Sequence, residues 1–158
     1  MRSGIALGSN LPSAFGDRAA NLREALRRLG ALGEVVAVSS FYDTDPVGYL
    51  DQPQFLNAAA LLDSDLQPLA LLRALLEIER EMGRRRELVP AKGPRIIDLD
   101  LLFADDVVME TSELTLPHPA MAERAFVLAP LAEIAPEWVH PGTRHTVAAM
   151  VTALTIQG

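Results

Sequence analysis

Between residues 18 and 29 leucines recur at steps of four and three (Leu22, Leu26, Leu29), with arginine and glutamate between them. That period predicts an amphipathic helix, ended by Gly30 and Gly33. Ahead of it, residues 3–7 form a short apolar run closed by Gly8, Ser9 and Asn10, which predicts a strand followed by a turn. Residues 35–42 alternate loosely and are rich in valine and aromatics, the mark of a second strand. Residues 55–62 read as a third. Pro68 suits the first turn of a helix, and Leu69, Leu72, Leu75, Leu76, Glu79 and Met82 then share a face as far as Gly83. Glu79 is the polar exception on that stripe.

Residues 43–54 hold two prolines, a glycine and three aspartates, and residues 84–94 hold two prolines, a glycine and no apolar period. Both predict long loops. Residues 96–103 form a strand, and a turn at Ala104, Asp105 and Asp106 followed by residues 107–109 suggests a hairpin. Proline-broken helical pieces come next, and residues 147–154 suit a final helix. The order is strand, helix, strand, strand, helix, strand, then further additions, which is the βαββαβ pattern of a ferredoxin-like core. The expected class is α+β, a mostly antiparallel sheet flanked by helices in three α/β/α layers.

With 158 residues, 49% of them hydrophobic and 22% charged, the chain suits one domain spanning residues 1–158 with a substantial core. A net charge of −7 argues against a broad nucleic-acid or anionic-membrane surface. The lack of cysteine excludes disulfides and thiolate chemistry. No secretory leader or membrane span is expected at the N-terminus, so the expected location is cytoplasmic. Nothing in the sequence calls for an obligatory protein partner.

One predicted strand contradicts its own burial. The stretch GPRIIDLDLLF sets Asp98 and Asp100 two residues apart, so both point to one face while Ile97, Leu99 and Leu101 face the core. Taken alone, the pair fits a solvated strand face. Two like charges side by side also suit Mg²⁺, which takes one or two carboxylates and fills its other positions with water and phosphate oxygens. Six of the fourteen lysines and arginines (Arg80, Arg84, Arg85, Arg86, Lys92, Arg95) gather just before the strand. Guanidinium groups match phosphate oxygens bidentately. The first of these arginines also suit a helix C-terminus, but Arg95 does not. Glycine-rich phosphate loops are missing, so side chains and metal would have to hold a polyphosphate.

Two further stretches complete a candidate site. Phe55 and Asn57 share one side of a strand, an aromatic face beside an amide able to read a flat heterocycle. Each alone also reads as an ordinary core or strand-end residue. LPHPAMAERAF offers His118, Arg124 and Phe126.

Together, GSN after the first strand, FYDTDPVGYLDQPQFLN, GRRR, GPRIIDLDLL, LPHP and RAFVLAPL resemble the 6-hydroxymethyl-7,8-dihydropterin pyrophosphokinases of folate biosynthesis, in order over nearly the whole chain. The resemblance implies a single pyrophosphokinase domain that transfers the pyrophosphoryl group of MgATP to a dihydropterin hydroxymethyl oxygen, releasing AMP. Its partners would be the pterin and ATP. Two Mg²⁺ ions would sit on Asp98 and Asp100. Glu79, Arg84, Arg86, Arg95, Leu101, His118 and Arg124 would contact ATP, with Arg84 and Arg95 stabilising the charge that develops in transfer. Thr44, Pro46, Val47, Phe55, Asn57 and Phe126 would form the pterin pocket, and the two long loops would close over it. One aspartate or a metal-bound water would take the hydroxyl proton. Lys92 and Pro119 depart from the aromatics that some relatives carry at these positions.

Two other readings predict differently. A ferredoxin-like ligand-binding module would survive loss of Asp98 or Asp100. A magnesium-dependent nucleotide enzyme with another acceptor would not bind a pterin.

Overall fold

The computed structural model describes residues 1–46, 51–84 and 94–157. Its axis is β1 (Arg2–Ser9), whose small and aliphatic side chains are nearly all buried because helices cover both faces. It pairs antiparallel with β4 (Phe55–Asp63) on one side and β5 (Asp98–Ala104) on the other. Beyond β4 lie β2 (Glu34–Val38) and β3 (Tyr42–Thr44), both antiparallel to it, so the path runs β2-β4-β1-β5 with β3 beside β4. A two-stranded ribbon, β6 (Met109–Glu110) and β7 (Thr115–Leu116), stands apart.

Helix α1 (Arg18–Leu29) starts where the Asp17 carboxylate accepts the Ala20 N–H, a side-chain cap. Helix α2 (Pro68–Glu81) opens on proline, whose missing N–H costs nothing there. These two bury Leu22, Leu29, Leu71 and Leu75 against Ile5, Leu7, Leu62 and Leu99 on one face of the sheet. Each such leucine contributes about 1.5–3 kcal/mol. Helices α3 (Ala125–Ile134) and α4 (Val147–Gln157) cover the other face, with Leu128 and Leu131 against Ala59, Leu61, Leu102 and Phe103. The result is the expected ferredoxin-like, three-layer arrangement.

Four expectations change in detail. β1 continues through Gly8 and Ser9 instead of turning there. The run at residues 35–42 splits into β2 and β3, because Ser39 breaks the alternation and spends its hydroxyl on the Ala59 N–H. The segment after Asp106 pairs with β7, not with β5, so no hairpin forms at Asp105. On α2 the buried stripe is Leu71, Leu75, Ile78 and Glu79, while Leu76 is 39% exposed. A register shift between Gly4 and Ile5 turns both Leu102 and Phe103 toward α3 and α4. A β-carbon at Gly4 would lie 2.3 Å from the Phe103 ring, so only glycine admits that ring.

Candidate active site

At its C-terminal end β1 narrows to glycine. Gly8 pairs with Asn57 of β4 and with Asp98 of β5, so the strand bearing the amide and the strand bearing the carboxylates meet with no side chain between them. A β-carbon there would stand 3.1 Å from Asn57 Nδ2 and 3.7 Å from Phe55. The space is a cavity of about 70 Å³ lined by Phe55, Asn57 and Thr44 from β3 and β4, and by Asp98 and Asp100 from β5. Arg95, Arg124, Phe126 and Asp45 complete it. Thr44 Oγ1 donates to Asn57 Oδ1, which fixes the amide with its NH₂ turned away from that contact. Arg95 lies 4.9 Å over the Phe55 ring and Arg124 5.7 Å over the Phe126 ring, within cation–π range.

Gly83, at φ +103°, ends α2 in a left-handed turn that residues with a β-carbon rarely adopt. The turn returns the Arg84 N–H to the Glu79 carbonyl at 3.0 Å and sends the Arg84 side chain inward. Its Nη1 donates to Glu79 Oε2 at 2.9 Å, to Asp98 Oδ1 at 2.8 Å and to the Ile97 carbonyl at 3.3 Å. Glu79 Oε2 also accepts the Leu99 N–H of β5 at 2.7 Å. Arg95 approaches the other Asp98 oxygen at 3.6 Å. Burial, then the neighbouring Asp98 and Glu79, push the Asp100 carboxyl up to about 7. A carboxylate so disfavoured gains most from a cation. Among the described residues no group of three or more acidic, histidine or cysteine side chains converges as a closed metal cage. Two carboxylates with open positions are the donor set that Mg²⁺ takes beside phosphate.

A second cavity, about 260 Å³, lies beyond β5. Leu72, Leu76, Leu101, His118 and Pro119 line it, and Asp100 is shared with the first. The backbone N–H of His118 donates to the Leu102 carbonyl, and its Nδ1 accepts from Ala120. Burial and then Arg124 lower its pKa, which favours the uncharged ring.

A family model for 7,8-dihydro-6-hydroxymethylpterin-pyrophosphokinase (HPPK) matches residues 4–136. The chain belongs to this family. It is 52% identical over 132 residues to the 2-amino-4-hydroxy-6-hydroxymethyldihydropteridine pyrophosphokinase of Bacillus subtilis, a match over 82% of this chain and 75% of that protein. The protein of that name from Pseudomonas aeruginosa is 46% identical over 89% of this chain and 85% of its own length. Folic acid synthesis protein fol1 of Schizosaccharomyces pombe is 40% identical over 98% of this chain, which amounts to 20% of that longer protein. The crystal structure of Plasmodium falciparum HPPK-DHPS shares the fold, with a TM-score of 0.71 at 16% identity over 99% of this chain and 44% of that one. The chain is thus a pyrophosphokinase, a transferase of folate synthesis that moves the pyrophosphoryl group of ATP to hydroxymethyldihydropterin.

The structure brings Thr44, Phe55, Asn57, Arg95, Asp98, Asp100, Arg124 and Phe126 to one cavity, and Leu101 and His118 to its neighbour. Arg84 sits behind Asp98. Glu79, expected near the nucleotide, is 1% exposed and spends Oε2 on Arg84 and β5. Pro46 is half-buried just after β3 and is not among the residues that line the cavity. Val47, Arg85, Arg86 and Lys92, and with them most of the loop at residues 84–94, lie outside the described residues. Sequence reasoning missed Gly8 and Asp45. The signal for Gly8 was a glycine at a strand end, which marks a close approach of neighbours.

Proposed function

We propose that Asp98 and Asp100 are the metal platform of the pyrophosphokinase reaction, with the pterin in the ring-lined cavity and the nucleotide along the cavity beyond β5. The observation that carries this reading is Asp100, a carboxylate common to both cavities. Transfer between two bound substrates needs the charged group at their boundary. Two Mg²⁺ ions held there by Asp98 and Asp100 would neutralise phosphate charge and align the phosphates with the acceptor.

The chain's own residues supply the rest. Phe55 and Phe126 sandwich the flat pterin, and Asn57, held by Thr44, reads its edge. Arg95 and Arg124, now over those rings, are drawn toward the phosphates when ATP arrives. Arg84 keeps a fixed positive charge beside Asp98, and among the described residues its buried Nε has no hydrogen-bond partner, which suits it to a phosphate oxygen. Such preorganised donors lower the barrier because they need no reorientation as charge develops. His118, half-buried, lines the nucleotide side together with Leu101. Glu79 acts from behind, by holding Arg84. Residues 1–158 constitute one pyrophosphokinase domain working in the cytoplasm, where ATP and reduced pterins are at hand. Among the described residues no helix is long and apolar enough to cross a membrane.

The test is incubation with ATP, Mg²⁺ and 6-hydroxymethyl-7,8-dihydropterin, with nucleotide products resolved. The expected result is AMP with the pterin diphosphate, lost by at least about 10³-fold in Asp98→Ala. Unchanged turnover in that variant would sink the metal platform. ADP in place of AMP would mean single phosphoryl transfer.

A further inference from the structure

Asn10, the residue after β1, is polar, carries no charge and is 1% exposed. Its main-chain N–H donates to the Arg95 carbonyl at 3.1 Å, and its side-chain Oδ1 accepts the Arg95 N–H at 2.8 Å. The remaining face of the amide turns the other way. Nδ2 donates to Gln52 Oε1 at 2.8 Å and to the Pro53 carbonyl at 3.1 Å. One side chain therefore ties the segment that delivers Arg95 to the segment that delivers Phe55, partners 85 and 43 residues away in the chain.

The surroundings make this tie mechanical. Pro53 stands two residues before Phe55, whose ring carries the Arg95 guanidinium at 4.9 Å. The same acceptor-side loop is held at both ends by Arg18, which pairs with Asp43 at 2.8 Å and donates to the Gln54 carbonyl at 3.0 Å. A second buried amide, Asn21 of α1, donates to the Leu11 and Ile96 carbonyls and so fixes the β1 end that bears Asn10. With its neighbours anchored, Asn10 cannot shift toward one partner without straining its bonds to the other.

We infer that Asn10 is a positioning residue that couples the two substrate sites: through its amide, seating of the pterin loop on Gln52 and Pro53 sets the backbone of Arg95, and the reverse. This rests on the assignment of Arg95 to phosphate and Phe55 to pterin. An amide is required because one end must accept and the other donate. Asn10→Asp keeps the acceptor facing Arg95 and replaces the NH₂ by an oxygen that opposes the oxygens of Gln52 and Pro53. It severs one side of the tie alone.

The experiment measures pterin affinity with and without a non-hydrolysable Mg-ATP analogue, in wild type, Asn10→Asp and Gln52→Ala, after melting curves confirm folding. Linkage makes the ratio of the two affinities a direct measure of coupling. In wild type the analogue should tighten pterin binding. In Asn10→Asp that ratio should fall at least about tenfold toward one, with kcat lowered and affinity for the analogue alone retained. Gln52→Ala, which removes one of the two bonds, should give a smaller fall in the same direction. A folded Asn10→Asp with the wild-type ratio overturns the inference, as does a wild-type ratio of one. If Asn10→Asp does not fold, Gln52→Ala decides: a reduced ratio supports the tie and an unchanged one overturns it. Arg95→Ala separates the two levels, since wild-type turnover in that variant removes the assignment on which the inference rests. Lost turnover in Arg95→Ala beside an unchanged ratio in Asn10→Asp leaves the assignment standing and removes the inference alone.

Discussion

Arg2 and Arg84 each place a guanidinium nitrogen 2.8 Å from an aspartate oxygen, one at each end of the sheet. The side chains of Arg2 and Asp63 are 53% and 40% exposed, whereas those of Arg84 and Asp98 are 7% and 23% exposed. Distance alone does not separate them, and burial does. Water screens the first pair and pays most of its attraction back, so such pairs contribute little. The second pair bears a desolvation cost that well-packed apolar residues would avoid. A chain that keeps it gains something other than stability, and on the proposed function that is a cation held against the carboxylate of the metal platform. The carboxyl groups report the same contrast: Asp63 is held below its ordinary value by the Arg2 hydrogen bond, while burial drives Asp100 up.

The contrast breaks hardest at Arg84. Arg84→Ala leaves Glu79 buried without its cation, so unfolding in urea should show a loss of about 3–5 kcal/mol. Its kcat should fall about 10²–10³-fold. A variant with wild-type stability would mean that the buried pair is no different in kind from Arg2 and Asp63. Next comes the gap between the strands. Gly8→Ala sets a methyl group 3.1 Å from Asn57 Nδ2. Steady-state kinetics should show the KM for pterin raised, with kcat/KM lowered up to about 10²-fold and the KM for ATP little changed. An equal effect on both substrates would deny that pterin and nucleotide occupy separate cavities.

A smaller effect separates the carboxyl groups by pH. Because folding raises the Asp100 pKa from 3.8 to about 7, its favourable contribution is complete below its unfolded value and disappears as pH rises through about 7. The metal-free protein should therefore lose melting temperature across that window. Added Mg²⁺ should raise the melting temperature more at pH 8 than at pH 5.5, and Asp100→Asn should flatten both trends. Equal stabilisation by Mg²⁺ at the two pH values would remove Asp100 from the metal site. Least of all, Asp63→Ala should leave turnover unchanged and shift melting only slightly, by an amount that vanishes in high salt. A turnover defect there would show that the far end of the sheet communicates with the site.

Much of this was legible because it is periodic. Helix α1 starts at Arg18 and ends at Leu29, as the leucine spacing predicts, and Asp98 and Asp100 share a cavity because strand side chains alternate. Phe55 and Asn57 follow the same rule one strand over. What escaped was set by partners distant in the chain. Gly8 and Ser9 look like a turn until β4 and β5 flank them, and Ser39 divides a strand through a bond to Ala59. Glu79 stands out on its helix as a polar exception, and the partner that its carboxylate meets on the free edge of β5, Leu99, lies in another element. Among the described residues the Asn10 side chain hydrogen-bonds to Gln52, Pro53 and Arg95, each more than forty positions away.

The single tryptophan, Trp138, stacks on Phe103 at 4.0 Å and donates its indole N–H to the Asp105 carbonyl, beside Arg2 and remote from the two cavities. Its emission is therefore an internal gauge of how α3 and α4 pack on the sheet at the Phe103 end, away from the residues that line the two cavities. An unfolding curve followed by that fluorescence reads the scaffold in any variant discussed above.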